Sequence, residues 1–164
     1  VTGMTACPCA QNIMQERARE VMENLDIAKD KIESFFKEVP MATHNQRGRG
    51  FLSIETDDES HVKLEKIIMI LKQSMSTPIF ELLKRGDEGH VVLSAHKNPR
   101  FVEDCVREMA RRVHAEFGDL PGDSVVTIAQ DNEESIHQHD AFAERQATIA
   151  ELADEINGEN LDVS

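Results

Sequence analysis

Apolar residues in the first forty positions recur at alternating steps of four and three: Met14, Ala18, Val21, Leu25, Ala28, Ile32, Phe35 and Val39. That spacing is one helical stripe, and it predicts a long helix, or two stacked ones broken near Asp26, over residues 8–39. Pro8 suits a first helical turn, where its missing N–H is not needed, and Pro40 marks a stop. The stripe is expected to be buried against a sheet or a partner helix and carries no chemistry. Residues 51–56 then alternate Phe51, Ser53 and Glu55 against Leu52, Ile54 and Thr56, which reads as a strand following Gly48 and Gly50. Residues 62–75 return to helical spacing, with Val62, Ile67, Ile68, Leu71 and Met75 inward, and residues 78–85 suggest a short helix ended by Gly86.

Asn98-Pro99 introduces a further helix with the stripe Val102, Val106, Met109, Ala110, Val113 and Phe117. Acids fall in its first turn and Arg111, Arg112 and His114 in its last, the order that a helix dipole favours. Cys105 lies within this helix and is expected to be a buried thiol of no special reactivity. Pro121-Gly122-Asp123 makes a turn, after which residues 124–130 supply a β-branched strand and residues 136 to about 143 a second. Thr148 and Glu151 have capping-box spacing and open a terminal helix to Ile156, leaving a tail, residues 158–164, that should fray. Helices and strands are mixed without regular alternation, so the expected class is α+β, and 164 residues suffice for one domain with a real core.

Charge narrows the function. Eighteen Lys and Arg against 31 Asp and Glu leave a net charge of −13, which argues against a general nucleic-acid or membrane surface, both partners being anionic. An anionic substrate must therefore meet a local basic pocket. A hydrophobic content of 40% excludes compositional disorder. Cys7, Cys9 and Cys105 are an odd number at spacings that build no disulfide framework, and nothing resembles a signal peptide, so the expected setting is a reducing cytoplasm. No apolar run approaches the length of a membrane span. The chain opens on Val1 without an initiator Met, as a chain entered partway through would.

Three segments hold candidate chemistry. Cys7-Pro8-Cys9 stands at the mouth of the first helix, where free backbone N–H groups favour an anion, yet without a second Cys pair it makes no closed four-thiolate zinc site. Both thiols could equally be small buried residues. His137 and His139, two apart in an expected strand, would project to one face about 7 Å apart at Cα. They could converge on one metal, divide metal binding and proton transfer between them, or be two solvated histidines on an edge strand. His44-Asn45-Gln46-Arg47 is followed by Arg49 among glycines; Gly48 and Gly50 would let a ligand approach the backbone, and the arginines could fork onto phosphate or be ordinary surface charges. Lys84, Arg85, Lys97 and Arg100 add positive charge. No P-loop, dinucleotide fingerprint, nucleophile elbow or H-E-x-x-H is present.

Four segments in order, residues 3–11 (GMTACPCAQ), 41–48 (MATHNQRG), 96–104 (HKNPRFVED) and 134–139 (ESIHQH), resemble the archaeal iron-dependent GTP cyclohydrolases of methanopterin biosynthesis. Members of that family are roughly twice this length, so the resemblance implies that residues 1–157 are one tunnelling-fold module, the carboxyl-terminal half of a two-module chain. It further implies paired helices on antiparallel strands, closure into a barrel with other copies (a homo-oligomer, dimer or higher), and sites at module boundaries. The implied reaction opens the guanine imidazole of GTP, releases formate and pyrophosphate, and leaves 7,8-dihydroneopterin 2',3'-cyclic phosphate. Fe(II) is the implied metal, with Zn or Mn as other divalent choices. His44, His137 and His139 would hold the metal or shuttle protons, with Cys7 as ligand or catalytic thiol and Cys9 close behind. Glu134 would accept hydrogen bonds from the guanine amino and ring N–H groups, and Arg47 and Lys97 would meet the triphosphate.

The chain has Pro78 and Leu93 where the related bacterial-type pattern has glutamates, so a metal shell copied from that relative would be wrong here. Glu134 and His137 differ by an odd step, which in a regular strand turns them to opposite faces. Three other readings accompany the main one: a cyclohydrolase that leaves the triphosphate intact, a metal-free reductase using Cys7 or Cys9 as nucleophile, and a non-catalytic binding or assembly module.

Overall fold

Five strands, β1 (Thr2–Ala6), β2 (Asn45–Glu55), β3 (Thr77–Pro78), β4 (Val125–Glu133) and β5 (Ala141–Thr148), form one antiparallel sheet in the order β3-β1-β2-β4-β5 in the computed structural model, which describes residues 1–158. Of the tail expected to fray, residues 159–164 lie outside the described residues. Along β2 and β4 burial alternates strictly: Gln46, Gly48, Gly50 and Leu52, with Val126, Ile128, Gln130 and Asn132, face inward. The intervening residues, Phe51 among them, are exposed or half-buried, as is Phe142 on β5, so one face of the sheet carries the core and the other is open.

The helix over Val102–Phe117 packs along that inner face. The expected stripe of Val102, Val106, Met109, Ala110, Val113 and Phe117 is buried throughout, as is Cys105. The helices Leu64–Ser74 and Ile149–Asn157 close the core with Ile70, Leu71, Ile149 and Leu152. We number the helices α1 (Pro8–Asn24), α2 (Lys29–Glu38), α3 (Leu64–Ser74), α4 (Arg85–Lys97), α5 (Val102–Phe117) and α6 (Ile149–Asn157). The mixed α/β architecture agrees with the expected class.

Gly48 and Gly50 lie inside β2, not in a ligand-binding loop. They pair with Asn132 and Gln130 respectively, the two large amides on the buried face of β4. A Cβ on Gly48 would fall 2.8 Å from Asn132 Oδ1 and closer still to Gln130 Nε2; on Gly50 it would meet Leu71 at 3.0 Å and Met109 at 3.1 Å. These glycines make room beneath the sheet, and β2 therefore begins six residues earlier than its apolar alternation suggests.

Other expectations shift for identifiable reasons. The first helical pattern is indeed broken at Asp26, whose φ of 57° ends α1 and separates it from α2. Its stripe, however, is largely uncovered: Met14, Val21, Leu25, Phe35 and Val39 are exposed, and Ile32 and Phe36 are the buried apolar residues of the hairpin. The Arg19 guanidinium covers the Phe36 ring at 4.8 Å and pairs with Glu33. β1, with the sequence TGMTA, lacks an apolar alternation and is held in strand form by partners on both sides. No helix forms over 78–85; Thr77 and Pro78 pair with β1, and α4 starts at Arg85 with Asp87 accepting from the Lys84 N–H at 3.0 Å. His90 and His96 accordingly lie on a helix. The strand expected from residue 136 starts at Ala141, and residues 134–140 form the β4–β5 connection.

The capping box at α6 is present: Thr148 Oγ1 accepts from the Glu151 N–H at 3.2 Å and a Glu151 carboxylate oxygen accepts from the Thr148 N–H at 2.8 Å. The Thr148 N–H, and after it the Thr148 hydroxyl at 3.1 Å, donate to the Glu151 carboxylate and hold it below its ordinary range. A lowered carboxyl stabilises the fold above its unfolded-state value, and the contribution fades as pH falls through the folded-state value. Thr148→Ala should therefore cost ~1 kcal/mol at pH 7 by urea unfolding. Glu151→Gln should lose less stability than the parent between neutral pH and pH 3; identical losses would show that the box contributes nothing.

Candidate functional site

Three backbone hand-offs build the site. At the end of the β1–β2 ladder, where Ala6 pairs with Asn45, the Cys7 N–H donates to the His44 carbonyl at 3.2 Å, so the thiol and the imidazole leave the sheet side by side. Cys7 is then the N-cap of α1, with Pro8 in the first turn. At the end of the β2–β4 ladder, Arg47 pairs with Glu133, which sets Gln46 beside Glu134; Gln46 Nε2 donates to the Glu134 carboxylate at 2.8 Å. Third, the Arg100 N–H donates to the Ala6 carbonyl at 3.0 Å, drawing the α4–α5 turn against the same corner.

A cleft of about 230 Å³ results, lined by Cys7, His44, Glu134, His137, His139 and Arg100 among others. The His44 and His137 rings stand edge to face with centres 6.5 Å apart; His137 and His139 stack at 5.5 Å. Ser135 Oγ lies 3.4 Å from His44 Nδ1, tying the β4–β5 connection to the residue before β2. Because residues 134–140 are a loop, the parity objection disappears: Glu134 and His137 reach one cleft without a regular strand between them. The Glu134 N–H donates to Asp140 Oδ1 at 3.2 Å across the loop's mouth.

The donors in this cleft are one thiol and three imidazoles, the borderline-soft set that suits Fe(II) or Zn(II). Two imidazoles on one tetrahedral ion place their ring centres about 5 Å apart for metal–nitrogen bonds of ~2 Å. His137 and His139 are near that separation and His44 is a little beyond it. Among the described residues, no three His, Cys, Asp or Glu side chains already stand as a closed metal-binding group.

Several candidates lie elsewhere. Arg47 is exposed on the open face of β2, opposite to Gln46, and Lys97 is exposed at the end of α4; neither lines the cleft. Cys9 is exposed and also outside it. In their place the structure brings Arg100, the one Lys or Arg among the described lining residues. Its Nε donates to Asn98 Oδ1 at 3.2 Å and its guanidinium lies 3.7 Å from Glu108, with the side chain 18% exposed. Gln46 and Asn132 were also missed. Gln46 stands two residues before Gly48 on the inward set of β2, and Asn132 lies opposite Gly48 on β4.

A larger, shallower depression near Glu55, Asp57 and Asp123 is acidic and holds no His, Cys, Lys or Arg among its described lining residues. No helix among the described residues is long and apolar enough to cross a membrane.

Residues 1–143 match the model of a family described as type I GTP cyclohydrolase folE2. GTP cyclohydrolase MptA of Methanoculleus marisnigri is 75% identical over 96% of this chain and 50% of its own length. The protein of the same description from Methanoregula boonei is 74% identical over 98% of the chain and 49% of its own length, and that from Methanosarcina mazei 57% over 96% and 49%. The chain thus spans about half the length of the curated relatives it matches.

The thiols differ sharply in surroundings. Cys105 has no exposed surface, and burial pushes its thiol up to about 12. Alkylation of the native protein at pH 8 should label Cys7 and Cys9 and spare Cys105 until the chain is unfolded. Native labelling of Cys105 at a comparable rate, read by mass spectrometry, would contradict the packing of α5.

Proposed function

The chain belongs to the type I GTP cyclohydrolase folE2 family, and from that premise we propose that its cleft opens the guanine imidazole ring of GTP, the first step of pterin synthesis. The observation that carries the reading is the convergence of Cys7, His44, Glu134, His137 and His139, drawn from three distant segments, on one cleft. The products in this reading are formate, pyrophosphate and 7,8-dihydroneopterin 2',3'-cyclic phosphate, feeding methanopterin in organisms like those of the relatives.

The residues divide the work by chemistry. Glu134, oriented by Gln46, accepts hydrogen bonds from the guanine amino and ring N–H groups, a donor pair that a carboxylate matches. Arg100 meets an oxygen of the triphosphate, supplying the local positive charge that an acidic chain otherwise lacks. Cys7, His44 and one of His137 and His139 would hold a divalent ion, Fe(II) in this reading. When bound, that ion supplies Lewis acidity and makes water nucleophilic at neutral pH, which the poorly electrophilic C8 of guanine requires. The remaining imidazole gives a proton to the ring nitrogen that leaves C8, and its exposed position lets it exchange that proton with solvent.

In this reading the chain is a tunnelling-fold module of a longer, cytoplasmic, homo-oligomeric enzyme, and the sheet is consistent with the module and its assembly. One sheet face is open, and β5 forms an edge of the sheet, with no partner on its outer side among the described residues. An eight-residue open edge is a template for pairing with another module, and barrel closure removes it.

The test is anaerobic turnover of GTP by the full-length protein with added Fe(II), following formate release and product mass. A product retaining three phosphates would replace the cyclic phosphate in this reading, and absence of both GTP binding and turnover would remove the enzyme. His44→Asn and His137→Asn should each lower kcat by ~10²-fold or more. Arg100→Gln should act differently, raising KM for GTP by ~10-fold with a smaller change in kcat; an unchanged KM would take Arg100 off the substrate.

A further inference from the structure

Two buried polar side chains outside the cleft tie together the pieces that carry its ligands. Gln11, 5% exposed, lies one turn into α1 from Cys7. Its Nε2 donates to the Met41 carbonyl at 2.9 Å and to the His96 carbonyl at 2.7 Å, so both amide protons are used. His96, 3% exposed and in the last turn of α4, sets Nε2 3.2 Å from the Thr43 carbonyl and Nδ1 2.8 Å from the Val92 carbonyl. Together with the Cys7 N–H on the His44 carbonyl, three of the four carbonyls of residues 41–44 face groups from α1, α4 and the end of β1, the Thr43 carbonyl accepting from His96 when the ring proton is on Nε2.

The segment 40–44 has no helical or strand bonds of its own, and it carries His44. Its course is set from outside. The first turn of α1 holds it at Met41 and, beside Cys7, at His44, and the last turn of α4 holds it at Thr43. A buried amide or imidazole in such a place is costly unless bonded, so its bonds specify one arrangement of the neighbouring backbone.

We propose that Gln11 and His96 are positioning residues that set the spacing of the Cys7 thiol and the His44 imidazole, and thereby the affinity of the cleft for a divalent ion. The inference rests on the reading of Cys7 and His44 as metal ligands. The Gln11 amide donates to the carbonyls of residues 41 and 96 and acts through them; His96 acts through the carbonyl of residue 43. Partners of this kind, one shell beyond the ligands, typically change metal affinity by 10–100-fold when removed.

The test uses Gln11→Glu and His96→Phe in the full-length protein. Gln11→Glu keeps the side-chain shape, deletes both donors and places a carboxylate against two carbonyl oxygens. Two readouts separate the outcomes. Hydrogen exchange by mass spectrometry, on metal-free protein over peptides spanning Cys7 and His44, should show faster exchange in both variants with the core peptides of α5 unchanged. Co(II) binding should be at least ~10-fold weaker, with loss of the thiolate-to-cobalt absorption. Thr148→Ala, a lost helix cap far from this corner, serves as the control for mere destabilisation and should leave Co(II) binding unaltered. Unchanged exchange at both peptides in Gln11→Glu and His96→Phe overturns the inference, as does faster exchange with wild-type Co(II) affinity. Absence of Co(II) binding in the parent protein overturns the metal reading and the affinity claim with it, while faster exchange in the variants would still establish that the two residues set the course of segment 40–44.

Discussion

The register of β2 against its two neighbours is the constraint on which this site depends. Ala6 opposite Asn45 brings Cys7 to His44, and Arg47 opposite Glu133 brings Gln46 to Glu134. In an antiparallel ladder a slip of one residue turns every side chain to the other face. Such a slip here would place Gln46, Gly48 and Gly50 on the open face and lift the cleft apart. The register sets large buried amides of β4 opposite the glycines of β2, where a Cβ would collide with them.

Core and cleft are consequently one structure seen at two ends. The inner face of the sheet passes from Leu52, Ile128 and Val126 under α5 to Gln130, Asn132 and Gln46 as it nears the cleft. Gln130 Nε2 donates to Asn132 Oδ1 at 2.9 Å, and Gln46 reaches Glu134, so polar groups replace apolar ones in step with approach to solvent. The charge pattern follows the same logic. In a chain of net charge −13, Arg100 is fixed at the cleft by its backbone N–H on the Ala6 carbonyl, and its guanidinium by Asn98 and Glu108. Arg47 and Lys97, equally basic in sequence, point to other surfaces.

Much of this was legible in the residues. The α5 stripe, the break at Asp26, the α6 capping box, the inert Cys105 and the family resemblance all came from local spacing or short motifs, and the motif histidines and Cys7 do meet in one cleft. What was misread has a common cause. β1, the early start of β2 and the loop at 134–140 depend on partners distant in sequence, and apolar alternation says nothing about strands whose inward residues are glycine and glutamine. The helix expected over 78–85 failed because Thr77 and Pro78 are taken by the edge of β1.

The sequence by itself determined the helical stripes of α3 and α5, the break between α1 and α2, the cap of α6, the mixed class, the acidic character and the identity of the chemical groups, because a helix is made of bonds between residues four apart and side-chain chemistry does not depend on fold. Only the tertiary structure decided which groups meet. Cys7 with His44, Gln46 with Glu134, and Arg100 in place of Arg47 and Lys97 are outcomes of strand register and of hydrogen bonds between residues 37 to 94 positions apart. Such pairings are selected by packing between distant segments, and no local pattern encodes them.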